Sequence, residues 1–266
     1  MKDKILAFLP GDYPGQALLH YENCVVSTND CLKVLASQGA PEGTAMVAGM
    51  QTGGKGRMGR VFHSPGQKGV YLSFLLRPNC KPQELMHLTC AAAVAMHQAI
   101  AKTCGIACQV KWINDLICNG RKLGGILTEL SIRPATGLVD YAIIGVGINC
   151  LQQKEDFPCD LQEIATSLLA VTGNATEPGK LAANMIAEFW HLKDTLFTQQ
   201  NIIMEQYKKH CVTLGADIKL IGVNDEALAK AVDISIDGTL VVKFPDGTLK
   251  EVNSGEVQVR GLYGYT

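Results

Sequence analysis

The chain has almost no net charge: 24 Lys and Arg stand against 25 Asp and Glu over 266 residues, a formal −1. Without a basic excess, wholesale nucleic-acid binding is excluded, and any contact with a polyanion has to be local. No apolar run is long enough to span a bilayer. The N-terminus, MKDKILAFLPGDYPG, has a short apolar run that stops at Pro10-Gly11 with no small-residue cleavage site behind it, so it does not read as a signal peptide. Together these absences give the expectation of a cytoplasmic protein. Ten cysteines are scattered without a C-x-x-C, and the nearest pair, Cys104 and Cys108, has no second pair or histidine couple to complete a zinc site. In a reducing cytosol they read as small apolar fillers.

What is present is enough for a core, with 47% hydrophobic residues. Ser27-Thr28-Asn29-Asp30 before CLKVLAS predicts a helix start. TAMVAGM (44–50), VYLSFLL (70–76), QVKWI (109–113) and YAIIGVGINC (141–150) predict strands. A helix is predicted from Pro82 to Lys102, and others over 160–171, 178–198 and 201–211. LIC and KLGGILTEL around Asn119-Gly120 predict a β-hairpin. Beyond Thr213, short strands spaced by turn signals predict a small all-β barrel of about five strands. The expected domains are therefore 1–212 and 213–266.

The segment GGKGRMGR, Gly53 to Arg60, holds a G-x-G-x-x-G with three cations, Lys55, Arg57 and Arg60, inside it. A dinucleotide-binding turn would lead into a long helix, but Val61-Phe62-His63-Ser64-Pro65-Gly66 cannot start one, and no acid follows at a second parallel strand. A P-loop string is absent. Two readings stay open: a solvated glycine-rich loop, or a loop that folds over an anion, using main-chain N–H groups and guanidinium forks suited to phosphate.

Two further clusters have the same ambiguity. KWINDL (111–116) precedes GRKLGGIL (120–127). Lys122 reads either as an exposed lysine beside a turn or as a site cation, and Asn114-Asp115 either as turn chemistry or as a polar corner of a site. GVGIN (145–149) reads either as tight strand–helix packing or as backbone opened to a ligand.

In their order and spacing, STN (27–29), QTGGKGRMGRVF (51–62), KWINDL, KLGGIL, GVGIN and GEVQVRG (255–261) resemble the biotin protein ligases. That family's pattern runs Ser-Thr-Asn, Gln-x-x-Gly-Arg-Gly-Arg-x-Gly-Arg-x-Trp, Lys-Trp-Pro-Asn-Asp-Leu, Lys-Leu-x-Gly-Ile-Leu, Gly-x-Gly-Ile-Asn and a late Gly-Glu-(x)-x-x-Arg. Lys55 stands where the family usually has Arg, Phe62 where it has Trp, and Ile113 where it has Pro. Lys keeps the charge but loses the bidentate fork. Phe keeps an aromatic face without the indole N–H, and Ile removes a rigid turn constraint.

The resemblance implies an α+β fold: a class II aminoacyl-tRNA synthetase-like mixed sheet with flanking helices, plus a small C-terminal SH3-like β-barrel. It implies an ATP-dependent ligase that makes biotinyl-5'-AMP and transfers biotin to a lysine of a biotin carboxyl carrier domain, with Mg²⁺ accompanying ATP. Lys122 and Arg57 are then the catalytic residues. Ser27, Thr28, Asn29, Gln51, Gly54, Lys55, Arg57, Lys122, Gly125 and Gly145 would meet biotin. Lys55, Arg57, Arg60, Trp112, Asn114 and Asn149 would meet ATP, with Asp115 near the acceptor lysine or the metal. No protein-only metal site is expected. Arg260 would either help close the nucleotide site or be a solvated barrel arginine.

Some family members carry an N-terminal helix-turn-helix domain. Only 26 residues precede Ser27, so no DNA partner is expected, nor a membrane. A homodimer is left open, because the sheet edges that form one cannot be placed from a single sequence. The rival readings are a lipoate or octanoate ligase on the same catalytic fold, and a catalytically inactive biotin sensor.

Overall fold

In the computed structural model, residues 1–222, 226–255 and 258–261 are described; Glu256 and Val257 of the last motif lie outside the described residues. The chain opens with two short helices, α1 (Lys2–Leu6) and α2 (Gly15–Leu18), and a strand, β1 (Leu19–Glu22). Local patterning does not announce these three elements. Helix α3 (Thr28–Ser37) begins where predicted, with Ser27 as N-cap accepting the Asp30 N–H at 3.5 Å. Then come β2 (Ala45–Ala48), β3 (Gly69–Leu76), α4 (Leu88–Cys104), β4 (Gln109–Lys111), β5 (Asp115–Cys118), β6 (Arg121–Ile132) and β7 (Val139–Asn149). The Asn119-Gly120 turn between β5 and β6 has positive φ at both residues, 50° and 72°, as a two-residue hairpin requires.

Two predicted helices change extent. The one expected from Pro82 divides into a 3-10 turn, Pro82–Leu85, and α4 proper, which ends at Gly105 in a left-handed conformation. The one expected over 160–171 shrinks to α5 (Leu168–Thr172), because the residues before it run alongside β6 instead. Ile164 O accepts the Lys122 N–H, and Lys122 O accepts the Thr166 N–H, both at 2.8 Å. Helices α6 (Pro178–Thr195) and α7 (Gln200–His210) follow.

The first seven strands form one mixed sheet in the order β1-β2-β3-β7-β6-β5-β4, with only β1 and β2 parallel. Strand alternation gives it two faces. Val70, Leu72, Phe74 and Leu76 of β3, with Ala142, Ile144, Val146 and Ile148 of β7, join the main core with α4 and α6. Leu75 and Ile143 turn to the opposite face, against Leu32 and Ala36 of α3. That second face is covered by α3 at one end only; where α3 stops, β7 presents Gly145 and Gly147 in register with Ser73 and Tyr71 of β3. The missing side chains let Asn29 and Phe62 pack against the sheet, and a hollow opens beside them.

Strands β8 (Asp217–Ile221), β9 (Glu226–Ile234), β10 (Leu240–Lys243), β11 (Leu249–Val252) and β12 (Gln258–Gly261) make a second, antiparallel sheet ordered β11-β10-β9-β8-β12. Trp112, just after β4, ties it to the first: its backbone N–H donates to Thr213 Oγ1 and its indole Nε1–H to Gly238 O, both at 2.9 Å.

Candidate active site

The hollow is a cavity of about 770 Å³, walled by α3's first turn, the 51–63 loop, β4 to β7, the 157–165 segment and β12. Of the residues singled out in the sequence, Ser27, Thr28, Asn29, Gln51, Lys55, Arg57, Arg60, Trp112, Asn114, Asp115, Lys122, Gly125, Gly145, Asn149 and Arg260 all line it. Gly54 does not. Its backbone serves the loop itself: Gly54 O accepts the Phe62 N–H at 2.8 Å, and an added Cβ would lie 2.5 Å from Phe62 O and 2.6 Å from Ser64 Oγ.

One end is neutral and largely buried, and its polar groups lie in one connected set of contacts. Gln51 Oε1 accepts from Thr28 N at 2.9 Å and Thr28 Oγ1 at 3.1 Å, while its Nε2 donates to Ser64 Oγ at 3.0 Å. Ser73 Oγ, wholly buried beneath them, lies 2.5 Å from Asn29 Oδ1 and 2.8 Å from Thr28 Oγ1. The Asn29 amide occupies the space that a side chain at Gly145 would need, since a Cβ there would come within 2.1 Å of Asn29 Oδ1. Likewise Gly147 makes room for the Phe62 ring, which would lie 2.3 Å from its Cβ and sits edge-on to Tyr71.

The other end is cationic. Arg57 donates to Asn114 Oδ1 at 3.3 Å and to the Ser254 carbonyl of the second sheet. Lys122 Nζ donates to Asp115 Oδ1 at 2.5 Å. Asn114 is fixed in turn by an Nδ2–H bond to Ile126 O at 3.0 Å, and Asn149 by one to Thr166 O at 3.0 Å. Lys111, Arg60 and Arg260 complete the group, and Asp115 is the one carboxylate on the wall among the described residues. Burial pushes the Lys111 ammonium below its ordinary pKa; Lys122, Arg260 and Arg60 add to that, and Asp115 opposes it. Burial also lowers Arg57, which nonetheless remains a cation.

Lys55 differs from its neighbours. Its ammonium donates to Asp30 Oδ1 at 2.6 Å near the surface, and that bond raises its pKa. Lys55 therefore ties the loop to α3. Trp112 lines the cavity while 6% exposed, with its backbone N–H committed to Thr213, ahead of the second sheet, and its indole N–H to Gly238 between β9 and β10. The Trp112–Ile113 peptide is cis.

Sequence reading left several wall residues without a role: Lys111, His63, Gly147, Phe157, Ile164 and Ala165. Lys111 stands inside KWINDL at the end of β4, where strand patterning masks its place on the wall. The 157–165 wall carries no polar signal, and only the backbone pairing to Lys122 brings it there.

An arrangement with a neutral hydrogen-bonding end and a cationic end in one cavity can hold an uncharged polar ring and a polyphosphate side by side. The described residues include no group of three or more His, Cys, Asp or Glu able to hold a metal, and no described helix is long and apolar enough to cross a membrane.

Comparison with known proteins gives the lineage. The model of the Biotin/lipoate A/B protein ligase family matches residues 21–149, and that of the Biotin protein ligase C terminal domain matches residues 213–260. The "Bifunctional ligase/repressor BirA" of Bacillus spizizenii is 35% identical over 249 residues, 92% of this chain and 74% of that protein. The "Biotin--[acetyl-CoA-carboxylase] ligase" of Mycobacterium tuberculosis is 28% identical, over 87% of this chain and 85% of that protein. The solved structure of a biotin protein ligase from Aquifex aeolicus in complex with biotin and ATP superimposes with a TM-score of 0.77 at 28% identity, covering 91% of this chain and 98% of that one. The chain belongs to the biotin protein ligase family, and is an enzyme of the biotin–protein ligase class.

Proposed function

We propose that the chain joins biotin to ATP as biotinyl-5'-AMP and then hands the biotinyl group to a lysine of a biotin carboxyl carrier domain. In the first step a biotin carboxylate oxygen attacks the α-phosphorus, the bond to the β-phosphate breaks and pyrophosphate leaves. In the second, the lysine ε-amine attacks the mixed-anhydride carbonyl, AMP leaves with the bonding pair, and the amine loses a proton to form the amide.

The observation that carries this reading is the pairing, in one cavity, of the neutral Thr28–Gln51–Asn29 end with the cationic Arg57–Lys111–Lys122 end. Two anions repel, so bringing them together needs fixed positive charge at the point of attack. Lys122 has its backbone locked by the 164–166 segment and its ammonium held by Asp115, which suits it to lie between the carboxylate and the α-phosphate. Arg57, Arg60 and Lys111 face the phosphates. Ser27, Thr28, Asn29 and Gln51 take the ureido ring, with Gly125 leaving room for it and Gly145 seating the Asn29 amide. Asn114, Asn149 and Trp112 take the nucleotide side, and Asp115 the incoming amine. A magnesium ion would accompany the nucleotide, with Asp115, the one wall carboxylate among the described residues, to hold it, and would offset phosphate charge. The names of the relatives support a carboxylase acceptor. Residues before Ser27 form helices of five and four residues and strand β1, and this reading gives them no role at DNA.

The test is exchange of labelled pyrophosphate into ATP, run with biotin, lipoate and octanoate in parallel. Exchange with biotin alone is expected. Exchange with lipoate or octanoate instead would transfer the chain to the acyl ligases, and folded protein that binds biotin without exchange would make it a sensor.

A further inference from the structure

We propose that Glu129, a carboxylate behind the cavity wall, sets the hydrogen-bond polarity of the neutral end and with it the preference for a ligand that brings an N–H donor. The proposal rests on biotin as that ligand. Glu129 does not line the cavity. Its Oε1 accepts from Lys33 Nζ at 2.6 Å and its Oε2 from Asn29 Nδ2 at 2.7 Å. From Asn29 a chain of oxygen contacts runs inward: Asn29 Oδ1 to Ser73 Oγ at 2.5 Å, Ser73 Oγ to Thr28 Oγ1 at 2.8 Å, and Thr28 Oγ1 to Gln51 Oε1 at 3.1 Å.

A carboxylate only accepts, so the Asn29 group facing Glu129 has to be its NH₂, and its carbonyl oxygen has to face Ser73. Gln51 also presents its carbonyl oxygen, fixed there by the Thr28 backbone N–H at 2.9 Å and by the donation of its Nε2 to Ser64. Both ends of the chain are therefore acceptors. Between them, two hydroxyl protons, those of Ser73 and Thr28, serve three contacts. Ser73 gives its proton to Asn29 and Thr28 gives its own to Gln51, which leaves the buried Ser73–Thr28 contact without one.

A ligand N–H supplies what is missing. Given to Gln51 Oε1, on a residue of the cavity wall, it releases the Thr28 proton to Ser73 and pairs every oxygen in the chain. A cyclic urea carries two such N–H groups, whereas the acyl chains of lipoate and octanoate carry none. Unpaired buried acceptors are the kind of feature that separates ligands differing by one donor.

The isosteric change Glu129→Gln inverts the chain. Lys33 has only donors, so it claims the new carbonyl oxygen and turns the new NH₂ towards Asn29. Asn29 then rotates, giving up its long 3.4 Å donation to Leu127 O; its NH₂ donates to Ser73, the Ser73 proton goes to Thr28 and the Thr28 proton stays on Gln51. All three contacts are paired without a ligand. Removing Lys33 as well frees the glutamine to keep its oxygen towards Asn29, which restores the original sense.

The experiment measures biotin binding without ATP by calorimetry, and the KM–kcat split in biotin-dependent exchange, for wild type, E129Q, K33M and K33M/E129Q, each checked for folding by thermal unfolding. E129Q is expected to bind biotin roughly tenfold more weakly, the worth of one buried hydrogen bond. The loss should fall on KM for biotin and reduce the preference over octanoate. K33M should match wild type, and K33M/E129Q should recover most of the loss. E129Q binding like wild type, or a double variant as weak as E129Q, overturns the proposal. Should E129Q not fold, S73A, which removes the contact that a ligand N–H would complete, is expected to lose affinity in the same sense, and wild-type affinity there overturns the proposal equally. Wild type that binds no biotin would instead bring down the ligase reading.

Discussion

Lys122 Nζ lies 2.5 Å from Asp115 Oδ1, an ion pair that joins neighbouring strands β5 and β6 on the cavity wall with both partners partly buried. Lys122→Ala removes the cation assigned to the point of attack and leaves the Asp115 carboxylate to its other contacts. Pyrophosphate exchange should fall by about 10²- to 10³-fold, the usual effect of removing one fixed charge or donor from a developing anion. Stability should drop by only about 1 kcal/mol, since the pair is not deeply buried. An exchange rate within a factor of a few of wild type would displace Lys122 from that role.

Lys111 is 9% exposed, and burial favours its uncharged form, so the folded pKa lies below the unfolded one. For a base the penalty is fully present below the folded pKa, and it is relieved as pH rises through that value towards the unfolded pKa. Lys111→Met should therefore melt higher than wild type at neutral pH, with the advantage shrinking in the alkaline range. ATP affinity should fall about tenfold, as expected for one charge-assisted hydrogen bond. Melting curves at pH 7 and pH 10, with nucleotide titrations, check both parts.

Two of the wall glycines, Gly145 and Gly125, should respond differently to alanine. At Gly145 the new methyl would sit 2.1 Å from Asn29 Oδ1, so Asn29 has to leave. The cost is about 1–3 kcal/mol in stability, with biotin binding largely lost. At Gly125 the nearest atom would be Lys122 Cε at 3.5 Å, an ordinary contact. G125A should stay within about 0.5 kcal/mol of wild type by chemical denaturation.

All ten cysteines are free, but only Cys24 and Cys159 are exposed. Burial pushes Cys118 up to about 11 and Cys150 up to about 12, so neither forms a useful amount of thiolate near neutrality. A colorimetric thiol titration of native protein at pH 8 should show two fast groups, with the six buried ones waiting on unfolding. Six or more prompt thiols would contradict this packing.

The legible parts of the fold were those where one residue type answers one local demand. Asn119-Gly120 marked its hairpin, Ser27 its helix, and Gly105 the end of α4. GVGIN was legible as a strand, yet its function comes from alternation: Val146 and Ile148 fill the core while Gly145 and Gly147 face the cavity. What could not be read depends on partners far along the chain. Strand β1 is four residues at a sheet edge and exists through its pairing with β2. Residues 164–166 carry helical patterning but are claimed by the backbone of Lys122. The sequence shows that Lys55 has no bidentate fork, but not that Asp30, 25 residues away, accepts from its ammonium.

Arg57 connects three parts of the molecule: it stands in the glycine loop, bonds Asn114 of the main sheet and donates to the Ser254 carbonyl of the small one. Two residues before Asn114, Trp112 is gripped by that same small sheet through Gly238. On the proposed function, nucleotide drawing on Arg57 and a partner drawing on the backbone around Ser254 or Gly238 would share these contacts. Reciprocity then holds: by whatever factor ATP alters such a partner's affinity, the partner alters that of ATP.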